Sequence, residues 1–149
     1  MKRWIPMMLA LLLPFAASAA AGASGVRVLE AWARATPPVV PVAGGYLTVV
    51  NDGAQADRLL RVESAIAKRI EIHEMRNDNG VMRMRRIDAG LPLPAHGRLT
   101  LGPGGYHLML FSPTRPLQAG GHFDAILVFE HAGKLPVTFE VRALGTAGH

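Results

Sequence analysis

The 149-residue chain contains no cysteine. That absence excludes a disulfide framework, an Fe–S cluster and every thiolate metal site. Aromatic residues are sparse, at 6%, and no basic stripe is interleaved with stacking side chains as a nucleic-acid footprint requires. The longest apolar stretch, Ile5 to Phe15, is broken by Pro6 and Pro14. It falls well short of the roughly 20 residues a membrane-spanning helix needs. No HExxH zinc motif is present, and Ser64 and Ser112 lie outside any nucleophile-elbow context. A long amphipathic helical pattern is missing as well.

What is there begins with a leader. Lys2 and Arg3 precede the apolar stretch, and Ala17-Ser18-Ala19 offers the small residues that a signal peptidase accepts. Residues 1–19 read as a signal peptide, with cleavage as late as residue 23 as the alternative. Residues 24–143 read as one domain and 144–149 as a frayed tail. The chain is then exported, and no second apolar segment would insert it into a bilayer after cleavage. With Lys2 and Arg3 in the leader, fourteen basic residues face eleven acidic ones. They cluster only at Arg83, Arg85 and Arg86, which read as a solvated strand face, or alternatively as a docking patch for an acidic protein.

The remainder is a succession of short β-type runs punctuated by glycine, proline, asparagine and aspartate. They are Val26–Glu30, Gly45–Asn51, Arg58–Val62, Arg69–Met75, Val81–Ile87, Arg98–Leu101, Tyr106–Phe111, Phe123–Glu130 and Leu135–Arg142. Thr36-Pro37-Pro38 opens a connection that no interior strand could hold, and Ser64–Lys68 could form a single helical turn. About nine strands at close spacing predict an all-β Greek-key sandwich or barrel.

Beyond the leader, every methionine falls between Met75 and Met109, and His73 and His107 bracket the same stretch. Asn79-Gly80 is a strong signal for a two-residue type I′ hairpin. That turn pairs Asp78 with Val81, Met75 with Met84 and His73 with Arg86. Residues two apart share a strand face, so His73, Met75, Met82 and Met84 project to one side and Ile70 and Ile72 to the other. In the later run, His107 and Met109 share the face opposite Tyr106, Leu108 and Leu110. Thioether sulfur with imidazole nitrogen is a donor set suited to Cu(I) that needs no cysteine. Met82 reads equally as a ligand or a peripheral apolar residue. His96, His122, His131 and His149 have no thioether neighbour and read as ordinary histidines.

Ten residues separate His73 from Met84, and Met84 is followed by twenty-two residues and then His107-Leu108-Met109. This pattern resembles the PCu(A)C family of periplasmic copper chaperones, whose second interval is about one residue shorter. The extra residue is placed in the Gly90–Gly97 loop. Ile72-His73-Glu74-Met75, Gly80-Val81-Met82-Arg83-Met84, Leu91-Pro92-Leu93-Pro94 and Pro103-Gly104-Gly105-Tyr106-His107 also look like the family. The likeness runs from Trp32 to about Val141.

The resemblance implies a cupredoxin-like β-sandwich that binds Cu(I) at an exposed site. The implied ligands are His73, Met84, His107 and Met109, with Met75 and Met82 secondary. It implies a monomeric, non-catalytic periplasmic carrier. Its partners would be the CuA site of cytochrome c oxidase subunit II, a Sco-type thiol protein, or both. Some relatives bind Cu(II) with the help of a His/Met-rich C-terminal extension, which is not seen in Thr146-Ala147-Gly148-His149. Other classes remain for comparison: copper storage or tolerance, and a metal-free β-sandwich interaction module. Blue-copper electron transfer needs a cysteine thiolate, which this sequence does not have.

Overall fold

The computed structural model describes residues 25–143 and residue 145. The leader, and the expected tail apart from Gly145, lie outside the described residues. Ten strands and no helix form among them: β1 (Val26–Arg34), β2 (Val42–Asn51), β3 (Asp57–Glu63), β4 (Ala67–Asp78), β5 (Val81–Arg86), β6 (Leu91–Leu93), β7 (Arg98–Leu101), β8 (Tyr106–Pro113), β9 (His122–Phe129) and β10 (Gly133–Arg142).

Hydrogen bonds link them in the order β5-β4-β8-β2-β1-β10-β9-β3-β6, with β7 attached to β2. Sequence neighbours are often not sheet neighbours, and β1 runs parallel to β10 but antiparallel to β2. The sheet folds over itself into a cupredoxin-like β-sandwich. Strand β2 is shared: Val42–Gly45 pair with β8, and Leu47–Val50 pair with β7. The core collects the inward residues of both layers, including Leu47, Val49, Leu59, Leu108, Leu110, Leu127, Phe139 and Val141. Period-2 alternation explains the division, since each strand sends one set of side chains in and one set out.

Three sequence expectations need correction. There are ten strands rather than nine, because Leu91-Pro92-Leu93 forms β6 against Asp57–Leu59. This strand lies inside the segment expected to be a plain loop. Pro92 is tolerated because β6 is the last strand of the order, while Leu91 and Leu93 are buried. Ser64–Lys68 makes a turn at Ala65-Ile66 and then enters β4, with no helical turn. Strand β2 begins at Val42, three residues earlier than expected, because the small residues Gly44 and Gly45 still pair with β8.

One buried carboxylate closes the far end of the sheet. Asp57 accepts the backbone N–H groups of Arg58 (2.7 Å), His131 (2.9 Å) and Ala132 (2.8 Å). Burial pushes its pKa up, but the three N–H donors outweigh that, and it lies below the ordinary aspartate value.

Candidate metal centre

The site is built on three adjacent strands. At the β4–β5 turn, Asn79 and Gly80 have φ of 51° and 86°, the positive values that a type I′ turn demands at both central positions. The turn fixes the register expected from sequence: Asp78 opposite Val81, Met75 opposite Met84, His73 opposite Arg86. On its other side β4 pairs with β8, which sets His73 opposite His107 and Glu71 opposite Met109. Parity then gathers His73, Met75, Met82, Met84, His107 and Met109 on one face. Ile72, Leu108 and Leu110 take the reverse face and are buried in the core.

Exposure grades across this face. His107, on an interior strand, is buried at 7%, and the His73 side chain is only 13% exposed. Met75 and Met109 are half-buried, whereas Met82 and Met84 are exposed at 56% and 47%. The expectation of an open site therefore holds for Met84 and fails for His107. Strand β8 has neighbours on both sides, while β5 is the edge strand and all six of its residues are exposed.

The two imidazole rings lie 6.0 Å apart between centroids, and the surroundings settle which nitrogen of each is free. His107 Nδ1 lies 3.0 Å from the Gly105 carbonyl oxygen. A carbonyl can only accept, so Nδ1 carries the hydrogen and Nε2 keeps its lone pair. In His73 the assignment is reversed. Its Nε2 lies 2.8 Å from Glu71 Oε2, so Nε2 donates to the carboxylate and, in the neutral ring, Nδ1 is the unprotonated atom. That Nδ1 is buried and has no hydrogen-bond partner. An unsatisfied buried acceptor costs about 1–3 kcal/mol, and a metal ion is one partner that removes the cost.

Glu71 is not among the site residues that the sequence pattern names. Its signal was present, since it precedes His73 by two and so shares that face. Arg69 Nε (2.7 Å) and an Arg86 terminal nitrogen (3.1 Å) both reach Glu71 Oε1, leaving Oε2 to His73. The His73 hydrogen bond lowers the Glu71 pKa first, and the charges of Arg86 and Arg69 add to it against desolvation.

The arginine cluster is fully engaged. Arg85 bonds Glu74 at 2.8 Å, Arg83 reaches Asp78 at 3.4 Å, and Arg86 holds both Glu71 and Asp88. Arg83–Asp78 and Arg86–Asp88 are exposed pairs of a solvated hairpin that contribute little to stability, whereas Glu71 and Glu74 are recessed behind their arginines. His96, His122 and His131 are exposed surface residues, and His149 lies outside the described residues. Among the described residues no three histidine, aspartate or glutamate side chains converge to hold a metal. A centre here therefore needs the thioethers.

Comparison with known proteins places these observations in context. The LpqE-like family pattern matches residues 26–141. A Leifsonia xyli subsp. xyli protein that carries a lipoprotein name is 32% identical over 120 residues, covering 80% of this chain and 71% of that protein. An uncharacterised Rickettsia prowazekii protein is 30% identical over 110 residues, covering 72% of this chain and 61% of that protein. Among solved structures, the copper-bound PCuAC domain from PmoF2 superposes with a TM-score of 0.68 at 29% identity, covering 80% of this chain and 93% of that domain. The solution structure of apo-DR1885 from Deinococcus radiodurans gives a TM-score of 0.65 at 27% identity, covering 99% of this chain and 100% of that one.

Proposed function

The chain belongs to the LpqE-like family, and from that premise we propose that it is an exported Cu(I) carrier whose ligands are His73, Met84, His107 and Met109. Met75 and Met82 flank that set as additional thioethers. One observation carries the reading: His73 Nδ1 is buried without a partner, 6.0 Å ring to ring from a second imidazole, on a face where methionines gather. Two structural neighbours support it, being described as copper-bound PCuAC from PmoF2 and Cu(I)-DR1885.

The chemistry follows from the donors. Two neutral imidazole nitrogens and two neutral thioethers match a soft monovalent ion, whereas Mg²⁺, Ca²⁺ and Zn²⁺ favour oxygen, more nitrogen or anionic sulfur. Cu(II) is a weaker fit, because thioether is a soft donor. The recessed imidazoles keep solvent from much of the ion, and the exposed Met84 gives an acceptor its point of entry. An acceptor thiolate can add before the donor's last ligand leaves, and anionic sulfur binds Cu(I) more strongly than thioether. Transfer to the CuA site of cytochrome c oxidase, directly or through a Sco-type thiol protein, is therefore downhill. The lipoprotein names of the family and of the Leifsonia relative support export; in this reading the carrier acts in the periplasm as a monomer without catalytic turnover.

Anaerobic competition against a chromophoric Cu(I) chelator tests the site. His107→Ala/Met109→Ala loses Cu(I) affinity by at least tenfold; parental affinity in this variant would sink the reading. For the physiological role, a deletion strain grown under copper limitation loses oxidase activity. Full oxidase with heightened copper sensitivity would instead point to storage or tolerance.

A further inference from the structure

Resting on that reading of the site, we propose that Glu71 is a positioning residue: anchored by Arg69 and Arg86, it fixes the His73 tautomer and so dictates that Nδ1 is the atom that binds copper. The two anchors take one oxygen of the carboxylate, Arg69 at 2.7 Å and Arg86 at 3.1 Å on Oε1. The other oxygen, Oε2, is left for His73 Nε2 at 2.8 Å. Because both guanidiniums can only donate, and an ionised carboxylate can only accept, the direction of every bond in the chain is determined. The neutral imidazole donates from Nε2, which leaves its lone pair on Nδ1, the buried atom without a partner.

Two of the three strands that carry the site, β4 and β5, supply the chain, and the third, β8, lies beside it. Arg69, Glu71 and His73 alternate along β4, and Arg86 stands opposite His73 on β5. Met109 of β8 stands opposite Glu71 itself. Arg69 is further steadied by stacking over the Phe111 ring at 4.3 Å. A carboxylate behind a ligating histidine raises its basicity and holds its ring, and loss of such a partner typically lowers metal affinity about 10–100-fold. The opposite tautomer of His107, held by the Gly105 carbonyl, means that the two histidines offer different nitrogens.

Glu71→Gln is the decisive variant because it keeps size and shape while changing the bond directions. The arginines claim the amide oxygen, so the NH₂ group turns to His73, whose Nε2 must now accept and whose Nδ1 takes the hydrogen. Imidazole ¹⁵N shifts of the apo protein, read at a pH where His73 is neutral, report this directly. The parent shows His73 protonated at Nε2, and Glu71→Gln shows it protonated at Nδ1, with Cu(I) affinity lower by about 10–100-fold. If the variant keeps the parental tautomer, or inverts it without loss of affinity, the proposal is overturned. His73→Ala separates the two levels of inference. If that variant binds Cu(I) as the parent does, the ligand assignment itself has failed; if it loses affinity while Glu71→Gln does not, only the positioning role has failed.

Discussion

At the scale of single residues, exposure separates what a side chain does for copper from what it does for stability. Met84 is 47% exposed on an edge strand, so Met84→Ile removes a thioether at little cost to packing. Its Cu(I) affinity falls at least tenfold while its denaturant midpoint stays within experimental error of the parent; chelator competition and urea titration read the two quantities. Asp57 behaves in the opposite way. Its carboxylate satisfies three backbone N–H groups far from the methionine face, and Asp57→Ala lowers stability by about 1–3 kcal/mol with copper affinity unchanged.

The pH dependence of that difference has a definite sign. The folded pKa of Asp57 lies below the unfolded value of about 3.9. Its contribution is therefore complete above that value and is lost as pH falls through the lower, folded one. The stability gap between parent and Asp57→Ala narrows on acidification. A gap that stays constant from neutral to strongly acid solution would contradict this role.

At the scale of elements, the β4–β5 hairpin is the part of the fold on which the site's geometry depends. Gly80 has φ of 86° with open space around a would-be Cβ, so a substitution there is opposed by backbone strain alone. Gly80→Val disfavours the turn by about 1–2 kcal/mol and loosens β5, which packs no side chain into the core. Hydrogen exchange should quicken in β5 and Cu(I) affinity should drop, with the global unfolding midpoint nearly unmoved. Unchanged exchange in β5 would show that the turn does not set the register.

The same hairpin shows why part of the site was legible in sequence. Asn79-Gly80 fixes a local register, and simple counting then pairs Met75 with Met84. The β4–β8 pairing was not legible, because no short turn joins Asp78 to Tyr106. Parity placed His107 and Met109 on one face but could not name the neighbouring strand. Their association with His73 came from the spacing that resembles a known family. Glu71 escaped because its role depends on two arginines, one of them across the hairpin, and on which oxygen each selects. Strand β6 escaped because Pro92 obscured the alternation of Leu91 and Leu93.

At the scale of the whole molecule, stability and cargo binding are linked by mass action. An ion that binds the folded chain and not the unfolded one adds about 2.7 kcal/mol when its free concentration is one hundred times Kd. Buffered Cu(I) thus raises the thermal midpoint, and in His107→Ala/Met109→Ala the rise falls by about half or more. The core can be weakened without touching the site. Leu127 is fully buried on β9, and Leu127→Ala costs about 2–5 kcal/mol. Its remaining folded population should still titrate with one equivalent of Cu(I) at parental affinity.

That independence has a consequence for what the scaffold could become. On β4 and β8, donors and packing residues occupy alternate positions of the same strands, so the two sets can be rewritten separately. Exchanging the thioethers at positions 84 and 109 for imidazoles would leave the interior leucines undisturbed and turn the preference toward zinc. The framework could thus acquire a new metal preference by a few replacements outside the core, without evolving a new architecture.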